Sequence, residues 1–459
     1  MKTLKLGLVI LAAASITIGL SGMAYAFHTG GVADCDGCHT MHNSLGGKPM
    51  GTGTNTTQFQ GVNWLLKGSD QSSTCLNCHA TTSATPSSYH IMTSNVTTTP
   101  GGVVPSQMTP GGDFGWLLKS YPAVGHAPAS PGSVHGHNIV AEDYNLVKDT
   151  TLTVGPGGTY LSANLHCSSC HNPHSNARIV SNPVTPSSIV SSAIGTTVPP
   201  ISASGSYIGS WPPAAGTALG VYRLLGSIGY VPMSYTGGPA FVNPPPIATA
   251  PTTYNQAETS YDTRVVYGQY GSFGMAEWCA NCHLSIYNAQ PTGTTAPHIH
   301  PSGVNAALSA TANISGTPTT IMAIYNAYVY SGDLMGTQSS SYWSLVPYEE
   351  NQNDLTVLSS HSAATGAPPT AGPTLGTEHV ICLSCHRAHA SGFNQGVRWN
   401  MNAEFETVAS LWPDSANAAS AGYSNGMPLA DYTAAMYNRL STNYASYQRV
   451  FCNKCHGKD

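Results

Sequence analysis

Cysteine and histidine recur in one fixed spacing along this 459-residue chain. All twelve cysteines fall into six Cys-x-x-Cys pairs, and a histidine directly follows the second cysteine of every pair. The cysteines are Cys35, Cys38, Cys75, Cys78, Cys167, Cys170, Cys279, Cys282, Cys382, Cys385, Cys452 and Cys455, and the histidines that follow them are His39, His79, His171, His283, His386 and His456. Disulfides or zinc sites are the competing interpretations of paired cysteines, but neither requires a histidine at that position. The spacing therefore predicts covalent attachment of six c-type haems.

The order of the residues in each motif matches the chemistry of haem attachment. Two thiols add across the two vinyl groups of haem, and the adjacent histidine then lies under the iron as its proximal axial ligand. We therefore expect twelve attachment cysteines and six proximal histidines. The thirteen other histidines are more than enough to supply a second, distal ligand to each iron. Methionine could compete for these positions, but the excess of histidine favours bis-histidine ligation.

Three of the six motifs carry an additional histidine three residues after the proximal one. They read "CDGCHTMH", "CSSCHNPH" and "CLSCHRAH", and the additional residues are His42, His174 and His389. If the intervening residues are helical, the two rings lie one turn apart on the same side. The porphyrin then separates the additional ring from the far face of its own haem. Each additional histidine must therefore serve a different iron, or none.

The composition indicates how little regular structure holds these motifs. Only 8% of the residues are charged, against about 25% in typical globular chains, and 48 glycines and 32 prolines interrupt helices and strands. We predict a mostly irregular fold of loops with short helices and few strands, in which haem supplies much of the apolar core. Short helices are expected within residues 331–346 and 428–451. In the second segment Leu440, Tyr444 and Tyr447 have helical spacing and lead into the last motif.

The N-terminus is typical of an exported protein. Lys2 and Lys5 precede an apolar run that ends in a small-x-small cleavage pattern at residues 24–26. We predict a secretory signal peptide over residues 1–26 and a single hexahaem unit over residues 27–459, with Ser/Thr/Pro/Gly-rich loops between the motifs. No later apolar run reaches the roughly 18 residues that a transmembrane helix needs. Lysine and arginine total only 15 and form no cluster, which argues against nucleic acid as a partner.

Seven segments of the mature chain resemble the extracellular hexahaem cytochromes of metal-reducing bacteria, of the outer-membrane cytochrome S type. The segments are "FHTGGVADCDGCHTMHNSLGG", "MTPGGDFGW", "GHNIVAEDYN", "LHCSSCHNPH", "AEWCANCH", "CLSCHRAHASGF" and "YQRVFCNKCHGKD". The resemblance implies a multihaem cytochrome c fold built around a continuous stack of six bis-histidine haems. It also implies head-to-tail contacts that generate an open filament, because the rotation between subunits does not close.

The resemblance further implies extracellular electron transfer. Filaments of this family lie at the cell surface, associated with the outer membrane, and deliver respiratory electrons to external acceptors such as metal oxides. Outer-membrane or periplasmic cytochromes are the implied redox partners. In this family an additional N-terminal histidine ligates a haem of the adjacent subunit. Carried over to this chain, that residue is His42, and its target is the fifth haem, on Cys382, Cys385 and His386.

The full set of candidate distal ligands, His42 included, is drawn from the spare histidines. The six candidates are His42, His90, His137, His174, His300 and His361. The three reserves are His28, His166 and His389. We expect the other four, His126, His135, His298 and His379, at the surface, although His135 and His298 are close enough to candidates to replace them.

Two alternatives to the filament remain at this point. A monomeric periplasmic or outer-surface electron shuttle would use the same bis-histidine haems. A multihaem reductase would need an iron with an open coordination position, yet no motif lacks its proximal histidine and spare histidines are abundant. We therefore predict an electron-transfer protein and not an enzyme.

Overall fold

The computed structural model describes sixteen stretches of the chain between residues 35 and 457. They are residues 35–40, 42, 44–45, 48–49, 65–87, 89–180, 187–191, 199–232, 237–251, 265–288, 300–314, 316–328, 338, 346–362, 372–416 and 421–457. The predicted signal peptide lies outside these stretches, as do His28 and His298. Most of the helix predicted within residues 331–346 also lies outside them.

The described helices are short. The longest, Gln71–His79, begins where the Asp70 side chain accepts a hydrogen bond from the Ser73 amide at 2.8 Å, which satisfies one of the free amides at the helix start. The other α-helices are Cys35–Cys38, Cys167–Cys170, Met275–Cys279, Leu284–Asn288, Ile321–Ala327, Leu355–His361, Cys382–Cys385 and Leu429–Ala435. Single turns of 3₁₀-helix are frequent between them, and one of these, Phe451–Lys454, carries the last motif.

The strands form several small sheets instead of one large one. They are β1 Ser44–Leu45, β2 Lys48–Pro49, β3 Ala80–Thr81, β4 Met92–Thr93, β5 Ala177–Val180, β6 Ser188–Ser191, β7 Ile201–Ser204, β8 Ala218–Gly220, β9 Ile247–Thr249, β10 Val266–Gly268, β11 Thr311–Ile314, β12 Thr317–Thr320 and β13 Glu349–Glu350. The largest sheet has the order β6-β5-β8-β7, and a three-stranded sheet has the order β13-β10-β9. Three two-stranded sheets pair β1 with β2, β3 with β4, and β11 with β12.

Within the stretches that the structure describes, the buried apolar side chains form four separate clusters, the largest built around Trp116, Trp399, Tyr432 and Phe451. Charged side chains are buried as well: fifteen acidic and basic residues of the described stretches are buried. Buried charge is expensive unless it is paired or hydrogen-bonded, and Lys119 is paired in this way with Asp431 at 2.9 Å.

A short helix forms within residues 428–451, as predicted, but it does not extend to the three residues with helical spacing. It ends at Ala435, because Tyr437 and Asn438 adopt left-handed conformations with φ of +57° and +55°. Beyond this break Leu440 and Tyr447 are exposed and only Tyr444 is buried, so these three residues do not lie on one face of an α-helix despite their spacing. Among the described residues, no helix is long and apolar enough to cross a membrane.

Candidate haem-attachment sites and histidine pairs

Each motif is held in one turn of helix. The amide of the histidine donates a hydrogen bond to the carbonyl of the first cysteine in five motifs. These bonds are His39 to Cys35 at 2.9 Å, His171 to Cys167 at 2.9 Å, His283 to Cys279 at 3.0 Å, His386 to Cys382 at 2.9 Å and His456 to Cys452 at 3.1 Å. The remaining motif lies inside the helix Gln71–His79. Because residues three and four apart share a helix face, the turn presents both thiols and the imidazole together. All twelve thiols are free of disulfides.

Consecutive motifs are neighbours in space. The Cys75 thiol is coupled by a hydrogen bond to Cys167, which raises the pKa of Cys75, and burial raises it further. In the same way, a hydrogen bond with Cys382 raises the pKa of Cys279, and burial raises it further. At the three other junctions, burial is the larger cause that raises the pKa of one thiol, and the charge on a thiol of the neighbouring motif raises it further. These junctions are Cys38 with Cys78, Cys170 with Cys282, and Cys385 with Cys455. The six motifs therefore follow one another in chain order along a single row.

Four proximal histidines face a second histidine ring across a gap. The ring centres lie 6.2 Å apart for His39 and His174, 6.4 Å for His171 and His389, 6.0 Å for His283 and His137, and 5.9 Å for His456 and His300. An iron bound between two imidazoles separates the ring centres by about 6 Å, since two bonds of about 2 Å and two ring radii lie along the line. The four gaps therefore match the space that a bis-histidine iron occupies.

Six of the imidazoles are oriented by a contact at Nδ1. A backbone carbonyl lies within hydrogen-bonding distance of Nδ1 in each of them, so Nδ1 carries the hydrogen and Nε2 keeps its lone pair. The pairs are His79 with Tyr89 at 2.7 Å, His171 with Arg223 at 2.7 Å, His283 with Pro156 at 2.7 Å, His386 with Gln395 at 2.9 Å, His137 with Ala388 at 2.6 Å and His300 with Pro301 at 2.8 Å. A neutral imidazole with a free Nε2 is the form that binds haem iron.

Four of these histidines are exposed or partly exposed but have many protein atoms close by: His137 and His386 are exposed, and His171 and His389 are partly exposed. Removal of water by these atoms lowers the pKa of His137, His171 and His386, and lowers that of His389 to about 3. These rings are therefore neutral at physiological pH and need lose no proton to bind iron. A cavity of about 450 Å³ beside His174 is lined in part by Asn172, Ser227 and Tyr230.

The structure places the other sequence-predicted ligands in different surroundings. His90 lies near His79, whose charge adds to burial in lowering the pKa of His90. His42 is exposed. The Nδ1 atom of His361 is 2.7 Å from Glu350 Oε2, and the side chain is partly exposed. His166 lies beside Ser72, with its Nδ1 atom 3.3 Å from the hydroxyl.

Two histidines expected at the surface are buried. His135 is fully buried between the Ser130 hydroxyl and the Trp116 carbonyl, each at 2.7 Å, and burial lowers its pKa to about 4. His379 is 7% exposed. His126 is exposed as expected. His389, predicted only as a reserve ligand, faces His171, and the motif spacing that it shares with His174 was the signal for it.

Six Cys-x-x-Cys-His turns in an irregular fold, four of them with a second imidazole about 6 Å from the proximal one, define a c-type cytochrome. No protein-family model matches the chain. It is 48% identical over 468 residues to the C-type cytochrome OmcS of Geobacter sulfurreducens, with the whole of both chains covered. The chain therefore belongs to the family of the c-type cytochrome OmcS.

Two solved structures of filaments from Geobacter sulfurreducens are similar to this fold. Electron cryo-microscopy of the OmcS nanowires gives a TM-score of 0.79 at 46% identity, covering 94% of this chain and 100% of the other. The outer membrane cytochrome S filament gives a TM-score of 0.77 at 45% identity, with the same coverage. These findings confirm the predicted family and the predicted mostly irregular fold class.

Proposed function

We propose that this chain is the subunit of an extracellular filament that conducts electrons through six c-type haems. The proposal is supported by its relatives, which are described as nanowires and as an outer-membrane cytochrome filament. Haem, when bound, supplies an iron that gains or loses one electron at a time. The chain's own residues attach the six groups in a row, fill their axial positions and exclude other ligands.

The observation that carries the proposal is the position of the additional histidines. His174, which follows the third motif, faces His39 of the first motif. His389, which follows the fifth motif, faces His171 of the third motif. Each additional histidine therefore serves the motif two places earlier in the row. This offset keeps the contacts of the additional histidines among the odd-numbered motifs.

Applied to the first motif, the same offset requires a motif from a neighbouring subunit. His42 has no motif two places earlier in its own subunit, but in a head-to-tail row that place is the fifth motif of the neighbouring copy. His386 of the fifth motif belongs to none of the four histidine pairs, although its Nδ1 atom is anchored 2.9 Å from the Gln395 carbonyl oxygen. His42 is exposed and available for such a contact. We therefore assign His42 as the distal ligand of the fifth haem in the adjacent subunit.

The even-numbered motifs use an offset in the other direction. His137 lies between the second and third motifs and faces His283 of the fourth, and His300 lies between the fourth and fifth and faces His456 of the sixth. In both cases the histidine precedes an odd-numbered motif and faces the even-numbered motif that comes next. By the same rule a histidine ahead of the first motif would face the second haem, and His28 is such a residue. The proximity of His90 to His79 supports the other candidate. Absorption spectra of loaded His28→Ala and His90→Ala decide between them, because only loss of the ligand leaves that iron five-coordinate.

Complete histidine ligation makes electron transfer, and not catalysis, the function that the residues support. With both axial positions of each iron filled by imidazole, no coordination position is left for a substrate. A row open to neighbours at both ends instead passes electrons from outer-membrane or periplasmic cytochromes to external acceptors such as metal oxides.

The test compares His42→Ala with His126→Ala in the secreted, haem-loaded protein. His126 is the matched control, since it is also exposed and stacks on Tyr423 with ring centres 5.2 Å apart. We expect cryo-electron microscopy to show filaments for the wild type and His126→Ala and discrete particles for His42→Ala. Filaments of His42→Ala with an unaltered spectrum would refute the assignment. Discrete wild-type particles would favour a monomeric shuttle, and a five-coordinate iron in the wild type would favour a reductase.

A further inference from the structure

Two carboxyl groups are buried together between the fourth and fifth motifs. Glu277 lies two residues before Cys279 and is 4% exposed, and Glu349 in β13 is fully buried. Both lie against Gly274, whose amide donates to Glu277 Oε2 at 2.9 Å. A Cβ atom at Gly274 would lie only 2.0 Å from Glu349 Oε1, so the backbone closes tightly over the pair. Cys279 and Cys382 attach the neighbouring fourth and fifth haems, so the carboxyls occupy the junction between these two groups.

Neutral donors surround both carboxyls. Glu349 accepts hydrogen bonds from the Met275 amide at 2.7 Å and the Gln269 side-chain amide at 3.0 Å. Glu277 accepts a further bond from the Tyr287 hydroxyl at 2.6 Å. Hydrogen bonds from neutral groups stabilise a carboxylate less than a paired cation does. Two adjacent carboxylates in such a site repel each other, which favours a proton on one of them.

The other titratable groups near the pair offer little compensation. Those that act on the two carboxyls or on their partners are His379, Glu378, Tyr287 and the Cys382 sulfur. None of these is a lysine or an arginine, and burial lowers the pKa of His379, which keeps that ring neutral. Glu350, the next residue of β13, is 2.7 Å from His361 instead.

Burial and the charge of Glu277 together raise the pKa of Glu349 to about 8. A carboxyl with this pKa is mostly protonated at neutral pH and loses its proton when positive charge develops beside it. The Cys382 sulfur becomes a neutral thioether on haem attachment, which leaves burial and Glu277 as the main causes. A ferric bis-imidazole haem carries one net positive charge on its iron and macrocycle, and the ferrous form carries none.

We propose that Glu349, together with Glu277, forms a proton-binding site coupled to the redox state of the fourth and fifth haems. In the step, one electron from the preceding haem converts ferric to ferrous iron, and one proton from solvent converts the carboxylate to the neutral acid. Oxidation by the next haem in the row releases both. The net charge of the junction is therefore the same in both states. The inference rests on the proposed haem binding and extends it from electron transfer to coupled proton uptake.

The first test is infrared redox-difference spectroscopy of the haem-loaded protein. We expect a protonated-carboxyl band that is gained on reduction, shifts in D₂O and is absent from Glu349→Gln. Glu350→Gln is the matched control, since it removes the adjacent carboxyl of the same strand and should keep the band. A band that survives unchanged in Glu349→Gln would place the proton elsewhere, for example on the haem propionates, and would overturn the proposal.

The second test is the pH dependence of the reduction potential. We expect the oxidised-to-reduced ratio of the coupled haem to change up to tenfold per pH unit, or ~59 mV for one electron, below about pH 8. Glu277→Gln removes the neighbouring charge and should move this window down by roughly 1–3 pH units. Wild-type potentials constant between about pH 6 and pH 9 would overturn the proposal without any variant. A loaded protein with bis-histidine spectra but no proton uptake would refute this inference alone, whereas missing haem would refute the proposed function itself.

Discussion

Replacing His389 with alanine tests the histidine pairing at the centre of the row. The ring lies 6.4 Å from His171 and stacks on Phe114 with centres 4.6 Å apart, and the His389 amide donates a hydrogen bond to the Gly111 carbonyl at 2.7 Å. Its removal takes one of two axial ligands from the third haem and leaves an imidazole-sized void. We expect about one-sixth of the haem absorption to change from six-coordinate low-spin to five-coordinate high-spin, since one iron of the proposed six is affected. The void should lower the free energy of unfolding by about 2–3 kcal/mol.

His135→Ala is the control for this prediction. His135 is also enclosed by protein, but its two nitrogens are bonded to the Ser130 hydroxyl and the Trp116 carbonyl. Loss of two hydrogen bonds and the unsatisfied groups left behind should lower the free energy of unfolding by about 2–4 kcal/mol, with no change in spin state. The two variants therefore separate destabilisation from loss of a ligand.

The assay combines absorption spectra with urea titration of the secreted, haem-loaded variants. Added imidazole should enter the void of His389→Ala and return the spectrum to the low-spin form. A low-spin spectrum for His389→Ala without added imidazole would refute the pairing with His171. A high-spin fraction of equal size in His135→Ala would refute the reasoning that separates ligand from structural histidines.

Two further predictions concern the frame that holds the motifs, and both are measured by urea titration of the loaded protein. Lys119→Met should lower the free energy of unfolding by about 3–5 kcal/mol, because it leaves the fully buried Asp431, which lies 2.9 Å from the ammonium, without its cation. Glu404→Ala is the control: it removes an ion pair at a 64% exposed side chain and should lower the free energy of unfolding by less than about 1 kcal/mol. Equal losses for these two variants would contradict the argument from burial. Gly112→Ala should lower the free energy of unfolding by more than about 2 kcal/mol, because φ is +96° and a Cβ atom would lie 1.7 Å from the Ala390 carbonyl oxygen. An unchanged urea midpoint would show that the backbone there can shift freely.

Composition predicted the character of the fold but not the environment of its charges. Scarce charge with abundant glycine and proline indicated loops and short elements, and this was confirmed. Spacing alone could not show that Tyr437 and Asn438 break the last long helix, since left-handed conformations at residues other than glycine depend on the surrounding packing. Nor could it show that Glu277 and Glu349, 72 positions apart, are buried side by side.

The sequence by itself determined the local chemistry of this protein. One helical turn brings two thiols and an imidazole together, so Cys-x-x-Cys-His predicts the attachment site wherever it occurs, independently of the rest of the fold. Only the tertiary structure decided which histidine faces which motif. The paired rings lie between 135 positions (His39 to His174) and 218 positions (His171 to His389) apart in the chain. A ring separation of about 6 Å over such a distance is set by the packing of the intervening loops, for which no local pattern of residues codes.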